Sequence, residues 1–228
     1  SIRADCRGVK FNFDKVIGLF EKLEGRVVGT PLAQQAQLEK AYAQFKAGEP
    51  AQATATLDRF MKLHPTSPAI DYALYLKGVV NFNDDLGLLG WLAKQDLSER
   101  DQKAAKESFE SFKELVARFP DSRYAPDSRA RMTYIVNSLA QYEVHVARSY
   151  YSRGAYVAAI NRAQVAIADF RDVPALEEAT YILFKSYEAL GMDALRDDAK
   201  RILEKTYPQS EFFTRGFKAN QDPWWKLW

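Results

Sequence analysis

The sequence predicts an all-α fold: an α-solenoid of about five stacked helix pairs, with a long insert in the third pair. Two observations predict it. Residues 148–154 are resembled by residues 185–191, which lie 37 positions later, and an internal period of this length indicates an array of helical hairpins. Short proline-containing segments also recur where second helices are expected to end. Hairpin arrays present side chains to other proteins, so a binding scaffold is favoured over an enzyme.

Each repeat is predicted to be two antiparallel helices joined by a tight turn. Two triplets share a spacing of four residues: Val146, Tyr150, Gly154 and Leu183, Tyr187, Gly191. That spacing marks one face of a helix, and the glycine allows the chain to reverse. Small residues follow, such as Ala159 and Ala163, which let the second helix pack closely on the first. This pattern resembles the tetratricopeptide consensus.

The chain begins with residues 1–12, in which no convincing helix is visible, so we predict an irregular N-terminal segment. Apolar residues then recur at helical spacing between Phe13 and Leu23 and end near Gly25. This is the pattern of a second helix, so the first unit is only half visible. The N-terminal half of the array is predicted to cover residues 13–122.

Four segments are predicted to end second helices, and they share a common form: residues 63–67, 118–122, 169–172 and 206–210. Proline stops a helix because it lacks an N–H group, and Arg171 replaces it once. The Ser or Asp that follows can accept a bond from a free N–H of the next helix. Twelve residues before two of these stops lie Ala53 and Ser108, small residues expected where paired helices cross.

A long insert, residues 84–101, separates the two helices of the third unit. It is rich in leucine and contains Trp91. Loops of this length in compact domains are usually functional, and an apolar one needs a cover. Packing on its own repeat is favoured, and a partner surface is the alternative. Residues 98–101, Ser-Glu-Arg-Asp, resemble a capping box that opens the next helix.

The C-terminal half of the array is predicted to cover residues 123–213. Between Pro126 and Gly154 the chain has no Gly or Pro, which predicts either one helix of roughly 40 Å or two helices with a kink near residues 138–141. Residues 214–228 form a predicted aromatic tail beyond the last repeat.

Composition agrees with an ordinary globular chain, with 47% hydrophobic and 27% charged residues. The net charge of +2 argues against nucleic acid as the main partner. No run of 18 apolar residues is present, and the polar N-terminus lacks the apolar core of a signal peptide. Cys6 is the only cysteine, so no intrachain disulfide is expected.

Catalytic and metal-binding motifs are not found. Phosphate loops, nucleophile elbows and ligand-spaced His or Cys pairs do not occur. His64 and His145, the two histidines, stand outside any cluster and are interpreted as surface or partly buried residues. We therefore expect no enzyme activity, no metal and no cofactor.

Several segments together resemble the BamD family, the lipoprotein subunit of the machinery that folds β-barrels into bacterial outer membranes. They are residues 57–60 (LDRF), 70–72 (IDY) with Gly78, 98–101 (SERD), 139–143 (LAQYE) and 154–162 (GAYVAAINR). The resemblance covers nearly the whole chain. It implies a non-catalytic adaptor on the periplasmic face of the outer membrane, held by a lipid anchor that this chain does not contain.

The resemblance also implies partners: a POTRA domain of the barrel subunit BamA, other Bam lipoproteins and unfolded barrel precursors. In the family, the arginine of an Asn-Arg pair contributes to the BamA contact, and the matching residues are Asn161 and Arg162. Arginine suits this role because it is always charged and can pair bidentately with a carboxylate. Without the resemblance, Arg162 would be interpreted as a solvated charge on a helix.

A precursor-binding groove is expected on the first helices of the N-terminal units, where an extended peptide with an aromatic C-terminus could lie. Arg59 and Lys62 are candidates for its terminal carboxylate. Tyr42, Phe45 and Tyr72 are candidates for its aromatic ring, although aromatic residues at helical spacing more often belong to the core.

The C-terminal residues 222–228 contain three tryptophans: Trp224, Trp225 and Trp228. Together with Trp91 they are candidate interface residues. Packing on the final repeat is one interpretation. The other is that this tail, which resembles the aromatic terminus of a barrel protein, enters a neighbour's groove or a partner subunit.

Two alternatives to the BamD interpretation stay open. Another periplasmic repeat adaptor, acting in cell division or polysaccharide export, would have the same helix pairs because the fold does not choose the partner. An enzyme acting on peptidoglycan would need two separated carboxylates in a groove.

Overall fold

The structure is a computed structural model that describes residues 13–82 and 99–221. This part of the chain contains ten α-helices and no strand, as predicted. The helices are α1 (Phe13–Arg26), α2 (Pro31–Lys46), α3 (Pro50–Leu63), α4 (Ile70–Asn81), α5 (Glu99–Arg118), α6 (Ala125–Ser152), α7 (Tyr156–Asp169), α8 (Ala175–Ala189), α9 (Asp193–Thr206) and α10 (Phe212–Arg215). A 3₁₀ helix, Gly216–Gln221, follows α10.

The described residues form two compact units, which divide between Met132 and Thr133. In the first unit α1 packs on α2, α2 on α3, α3 on α4 and α4 on α5. In the second, α7 packs on α8 and α8 on α9. The division falls within α6, later in the chain than the predicted boundary after residue 122.

Each unit has its own apolar core. The core of the first unit contains Leu57, Phe60 and Leu74 from α3 and α4, together with Leu115 of α5. The core of the second unit is built largely from alanines of α6, α7 and α8, with Ile182 at its centre. Small side chains there let the helices approach closely, as the repeat pattern predicted.

A buried ion pair joins α6 to α8 in the second unit. The carboxylate of Glu178 is 2% exposed and accepts two hydrogen bonds from the guanidinium of Arg148. Because a buried carboxylate without a cationic partner would be costly, this pair constrains how the two helices face each other.

The turns between paired helices are alike. Gly48, Gly154 and Gly191 have φ of 81°, 77° and 67°. In each case the N–H after the glycine bonds a carbonyl five residues back, as Ala155 does to Tyr150 at 3.0 Å. This is the Schellman arrangement, which needs a left-handed residue. The predicted reversals at Gly154 and Gly191 are confirmed, and Gly48 is a third copy.

The proline-containing stops also share one geometry. The hydroxyl oxygens of Ser67, Ser122 and Ser210 accept bonds from backbone N–H groups two residues later, at 3.3, 3.2 and 3.3 Å. Only Phe212 belongs to the helix that follows, whereas Ala69 and Tyr124 precede α4 and α6. The N-cap residues of α4 and α10 are Ala69 and Glu211, and neither makes a side-chain cap bond. The serines therefore close the turn before the next helix, and the prediction that they occupy its N-cap is wrong. The following helices begin two or three residues beyond each serine.

Helices α4 and α5 cross at closest approach around Gly78. The hydroxyl of Ser108 donates to the carbonyl oxygen of Gly78 at 2.7 Å, and Phe112 lies against the same glycine. Ala53 and Ser108, predicted at helix crossings, are both fully buried.

Helix α6 is continuous, which resolves the choice between one helix and two in favour of one. Of the predicted insert, residues 99–101 belong to α5, and residues 84–98 lie outside the described residues. Residues 1–12, including Cys6, also lie outside them. Part of the predicted tail is helical instead, because α10 and the 3₁₀ helix extend to Gln221, and Phe217 packs on the core of the second unit.

Candidate functional site

Four tyrosines of the first unit lie near one another, and we call them the tyrosine face: Tyr42, Tyr72, Tyr75 and Tyr124. The ring of Tyr124 stacks on Tyr75, with centroids 4.6 Å apart, and lies 5.6 Å from the ring of Tyr72. Tyr42, on α2, is 41% exposed. Aromatic rings that remain accessible in this way are suited to contacts with another protein.

A hydrogen bond between the turn before α6 and the start of α4 brings these residues together. The hydroxyl of Ser122 donates to Oδ2 of Asp71 at 2.7 Å. Asp71 precedes Tyr72 in the first turn of α4, and Ser122 lies two residues before Tyr124. This bond therefore fixes Tyr124 beside Tyr72.

Two phenols of the tyrosine face, those of Tyr72 and Tyr75, have a raised pKa and are neutral hydrogen-bonding groups. Burial raises the pKa of Tyr72 to about 12, with further contributions from the negative charge of Glu39 and from the neighbouring phenols of Tyr124 and Tyr42. Burial also raises the pKa of Tyr75, and the hydrogen bond from its hydroxyl to Asp127, at 2.9 Å, adds to this.

Cations lie beside the rings of this face. The guanidinium of exposed Arg123 lies 4.7 Å from the ring of Tyr124 and donates to its hydroxyl at 2.7 Å. Nζ of Lys46 lies 5.5 Å from the ring of Tyr42 and 5.2 Å from that of Phe45. Rings and cations together can receive an aromatic side chain and a carboxylate.

The structure brings together only some of the predicted groove residues. Tyr42 and Tyr72 both belong to the tyrosine face. Phe45 is half-buried and packs against the core of the first unit, so most of its role is in packing. Lys62 is exposed on α3. It forms no ion pair with another residue in the part of the chain that the structure describes.

Arg59 lies elsewhere, because it is paired with Glu24 of α1. Its Nη2 atom is 2.8 Å from Oε1 of Glu24, and the same carboxylate binds Gln37 at 2.8 Å and Lys40 at 3.2 Å. Along α2, Gln37 and Lys40 lie roughly 140° and 160° around the helix from Tyr42. The structure thus places Arg59 on the opposite side of α2 from the tyrosine face.

Sequence reasoning missed Arg123, Tyr75 and Tyr124. Arg123 and Tyr124 directly follow the stop at residues 118–122. A cation next to an aromatic residue in a turn is a pattern from which a binding site could have been predicted. The proximity of Arg123 and Tyr124 to Tyr72 depends on the hydrogen bond from Ser122 to Asp71. Sequence spacing does not reveal this bond.

The second candidate surface is on α6 and α7 of the second unit. Arg162 is half-exposed, and its Nη1 atom donates to Oε2 of Glu143 on α6 at 3.1 Å. Asn161, beside it, is exposed. Glu143 is a further residue that sequence reasoning did not select, although it lies in the quoted segment 139–143.

Other candidate sites are not tested. Trp91, Trp224, Trp225 and Trp228 lie outside the described residues. Within residues 13–82 and 99–221, no group of three or more His, Cys, Asp or Glu is arranged to hold a metal ion. In the same ranges no helix is both long and apolar enough to cross a membrane.

Comparisons with known proteins identify the family. A family model described as "Outer membrane lipoprotein" (YfiO) matches residues 9–203. The outer membrane protein assembly factor BamD of Neisseria meningitidis serogroup A is 45% identical over 217 residues, covering 95% of this chain and 81% of the relative. BamD of Vibrio cholerae is 33% identical over 184 residues, covering 81% and 76%.

A solved Podosopora anserina kinesin light chain with TPR-like repeats aligns with 86% of this chain and 89% of its own length. Its identity is 15% and its TM-score 0.36, values too low to support an argument. The sequence matches decide the question: the chain belongs to the YfiO family of outer membrane lipoproteins, which includes the BamD assembly factors.

Proposed function

We propose that this protein is a non-catalytic adaptor subunit of the outer-membrane β-barrel assembly machinery. It binds the POTRA region of BamA through the surface around Arg162 and Asn161, and it takes part in the recognition and insertion of barrel precursors. The observation that carries this proposal is the 45% identity to a BamD assembly factor over 95% of the chain. Other Bam lipoproteins are further partners.

The same comparisons support a location at the outer membrane. The family model describes outer membrane lipoproteins, which supports a protein attached by a lipid to the periplasmic face of the outer membrane.

The geometry of Arg162 supports the POTRA contact. Glu143 holds one N–H of the guanidinium, and no other hydrogen bond of Arg162 occurs in the described ranges. An arginine oriented in this way can still pair with a carboxylate of another protein.

The tyrosine face supports the precursor contact. Neutral phenols, an accessible ring and the guanidinium of Arg123 offer partners to an extended peptide that ends in an aromatic residue. Arg123 therefore joins Tyr42 and Tyr72 as a proposed contact. Arg59 and Lys62, on α3, stay predictions that the same experiment can test.

Charge reversal tests the POTRA contact. Arg162→Glu should abolish co-purification with the POTRA region of the cognate BamA while the circular dichroism spectrum stays unchanged. Failure of the wild-type protein to bind this region would contradict the proposal.

Peptide binding tests the precursor contact. A fluorescent peptide with the C-terminal residues of a barrel protein should bind the wild type and bind Arg123→Ala and Tyr72→Ala more weakly. Arg59→Ala and Lys62→Ala test the two candidates on α3, of which Arg59 lies on the opposite side of α2 from the tyrosine face. Equal affinity of all these variants would exclude the tyrosine face as the peptide site.

A further inference from the structure

A segment near the C-terminus contacts the second unit through aromatic rings. We call residues 211–218 the C-terminal strap; it contains α10 and the start of the 3₁₀ helix. The ring of Phe217 lies between two tyrosines, with its centroid 5.0 Å from that of Tyr151 on α6 and 5.1 Å from that of Tyr181 on α8. The ring of Phe212 also contacts Tyr181, at 5.0 Å. The strap thus covers rings that belong to two different helices.

The strap is attached without polar contacts. Within the described residues, no hydrogen bond or ion pair joins it to α6, α7, α8 or α9. Its bonds are local: the N–H of Phe212 donates to the hydroxyl of Ser210, and Thr214 and Arg215 both bond Glu211. Because apolar contacts are not directional, detachment of the strap would leave no buried polar group of these helices without its partner.

A glycine gives the strap the bend that it needs to reach both tyrosines. Gly216 has φ of 57° and ψ of −146°, a combination that glycine adopts readily and that other residues avoid. It lies between Phe212 and Phe217 in the chain. The bend therefore lets two rings only five residues apart contact the same tyrosine of α8.

The main core of the second unit is built from other elements. Its buried residues belong to α6, α7, α8 and the turn before α8, and Phe217 is only half-buried against them. Phe212 is buried in a smaller cluster, with Tyr181 and Leu203. Helix α7 packs closely on α8 and α8 on α9, whereas α10 packs in this way on the 3₁₀ helix. Segments attached by few contacts are the first to open in a folded protein.

We propose that the C-terminal strap is a cover that opens as a unit while the helices stay folded, and that it controls access to the rings of Tyr151 and Tyr181. When the strap is closed, both phenols are shielded, and burial raises the pKa of each. When it opens, both rings face solvent. This inference goes beyond the proposed function and does not depend on the POTRA contact.

Nitration by tetranitromethane tests the inference in the full chain, because this reagent modifies tyrosines that it can reach. Tyr181 and Tyr187 are a matched pair, since both belong to α8 and both are 7% exposed. Tyr187 is covered by residues of α7 and α9 instead of the strap. We expect Tyr181 of the wild type to react at least about tenfold faster than Tyr187, because opening of the strap uncovers Tyr181 alone. Peptide mass spectrometry measures both rates, and equal rates would contradict the inference.

Removal of the central ring is the second test. Phe217→Ala should raise the nitration rates of Tyr151 and Tyr181 by at least about fivefold and leave that of Tyr187 unchanged. Phe213→Ala is the control from the same segment. Phe213 is 40% exposed, and its ring lies against another residue of α8, so none of the three rates should change.

Two results with Phe217→Ala would overturn the inference. Unchanged nitration of Tyr151 and Tyr181 would show that Phe217 does not cover them. A parallel rise at Tyr187 would show that the strap is part of the fold of the whole unit.

Hydrogen exchange of the wild type needs no variant. The amides of residues 212–217 should exchange at least about a hundredfold faster than those in the middle of α8, since the strap opens without the helices. Equal protection of the two segments would contradict independent opening.

Discussion

Gly78 of α4 lies directly against the ring of Phe112 on α5. A β-carbon at position 78 would lie 2.4 Å from Cε1 of that ring, which is far inside van der Waals contact. Phe112 is fully buried, so its ring cannot move aside into solvent. The helix crossing of the third repeat therefore depends on the absence of a side chain at residue 78.

Gly78→Ala should destabilise the protein by roughly 1–3 kcal/mol, the usual cost of overpacking a core. Urea denaturation followed by circular dichroism measures this. Gly18→Ala is the control: Gly18 lies within α1, and a β-carbon there meets nothing within 4 Å. That variant should be as stable as the wild type or slightly more so. Equal stability of the Gly78 variant and the wild type would contradict the close crossing.

The turn glycine Gly154 should be intolerant for a different reason. A β-carbon there meets nothing within 4 Å, but φ is 77°, a conformation that costs an L-residue about 1–2 kcal/mol. We expect Gly154→Ala to lose about that much free energy of unfolding. Gly154→Asn should lose less, although its side chain is larger, because Asn tolerates the left-handed region. If Gly154→Asn were less stable than Gly154→Ala, the size of the side chain and not the backbone conformation would determine the loss of stability.

Removal of the Ser122 hydroxyl should loosen the tyrosine face. Ser122→Ala loses the bond to Asp71 and the bond from the N–H of Tyr124, so we expect a loss of about 1 kcal/mol. Thermal denaturation measures this. Ser152→Ala is the control, since the Ser152 hydroxyl donates to a carbonyl three residues back at an exposed site. If both variants melt alike, the bond from Ser122 contributes no stability.

Acid should weaken the contacts of Glu24. Burial raises the pKa of this carboxyl, but the bonds from Gln37 and Lys40 and the charges of Lys40 and Arg59 leave it below its ordinary value of 4.5. A carboxyl with a lowered pKa in the folded state contributes stability above the unfolded pKa. That contribution is lost as pH falls through the folded pKa.

The wild type should therefore lose free energy of unfolding as pH falls below about 4.5. Glu24→Gln should be less stable at neutral pH and should lose less as the solution is acidified. Urea titrations at a series of pH values measure both effects. Parallel pH profiles of the two proteins would contradict a role for Glu24.

The local features of the fold could be predicted from the sequence. Gly154, Gly191 and the proline-containing stops follow rules that concern only a few neighbouring residues, and the structure confirms the turns and the helix ends. The spacing of equivalent hydrogen bonds in two repeats also agrees with the predicted length of the insert. The Ser67 hydroxyl bonds Gln34, 33 residues earlier, and Ser122 bonds Asp71, 51 residues earlier; the difference, 51 − 33 = 18, is the number of residues in the predicted insert 84–101.

The candidate surfaces could be predicted only in part. Tyr42 and Tyr72 are predicted groove residues because a groove is expected on the first helices of the N-terminal units, but the sequence alone does not say which side of a helix packs on a neighbour. Arg59 was grouped with them, whereas its guanidinium is held by Glu24 on the other side of α2. Arg123 was missed because it is brought beside Tyr72 by a turn, through contacts distant in sequence.

The bond from Ser108 to Gly78 fixes α4 against α5 from within the helices themselves. The two helices therefore carry part of their register in their own residues. A side chain at residue 78, or loss of the hydroxyl at residue 108, would change how the whole pair of helices aligns.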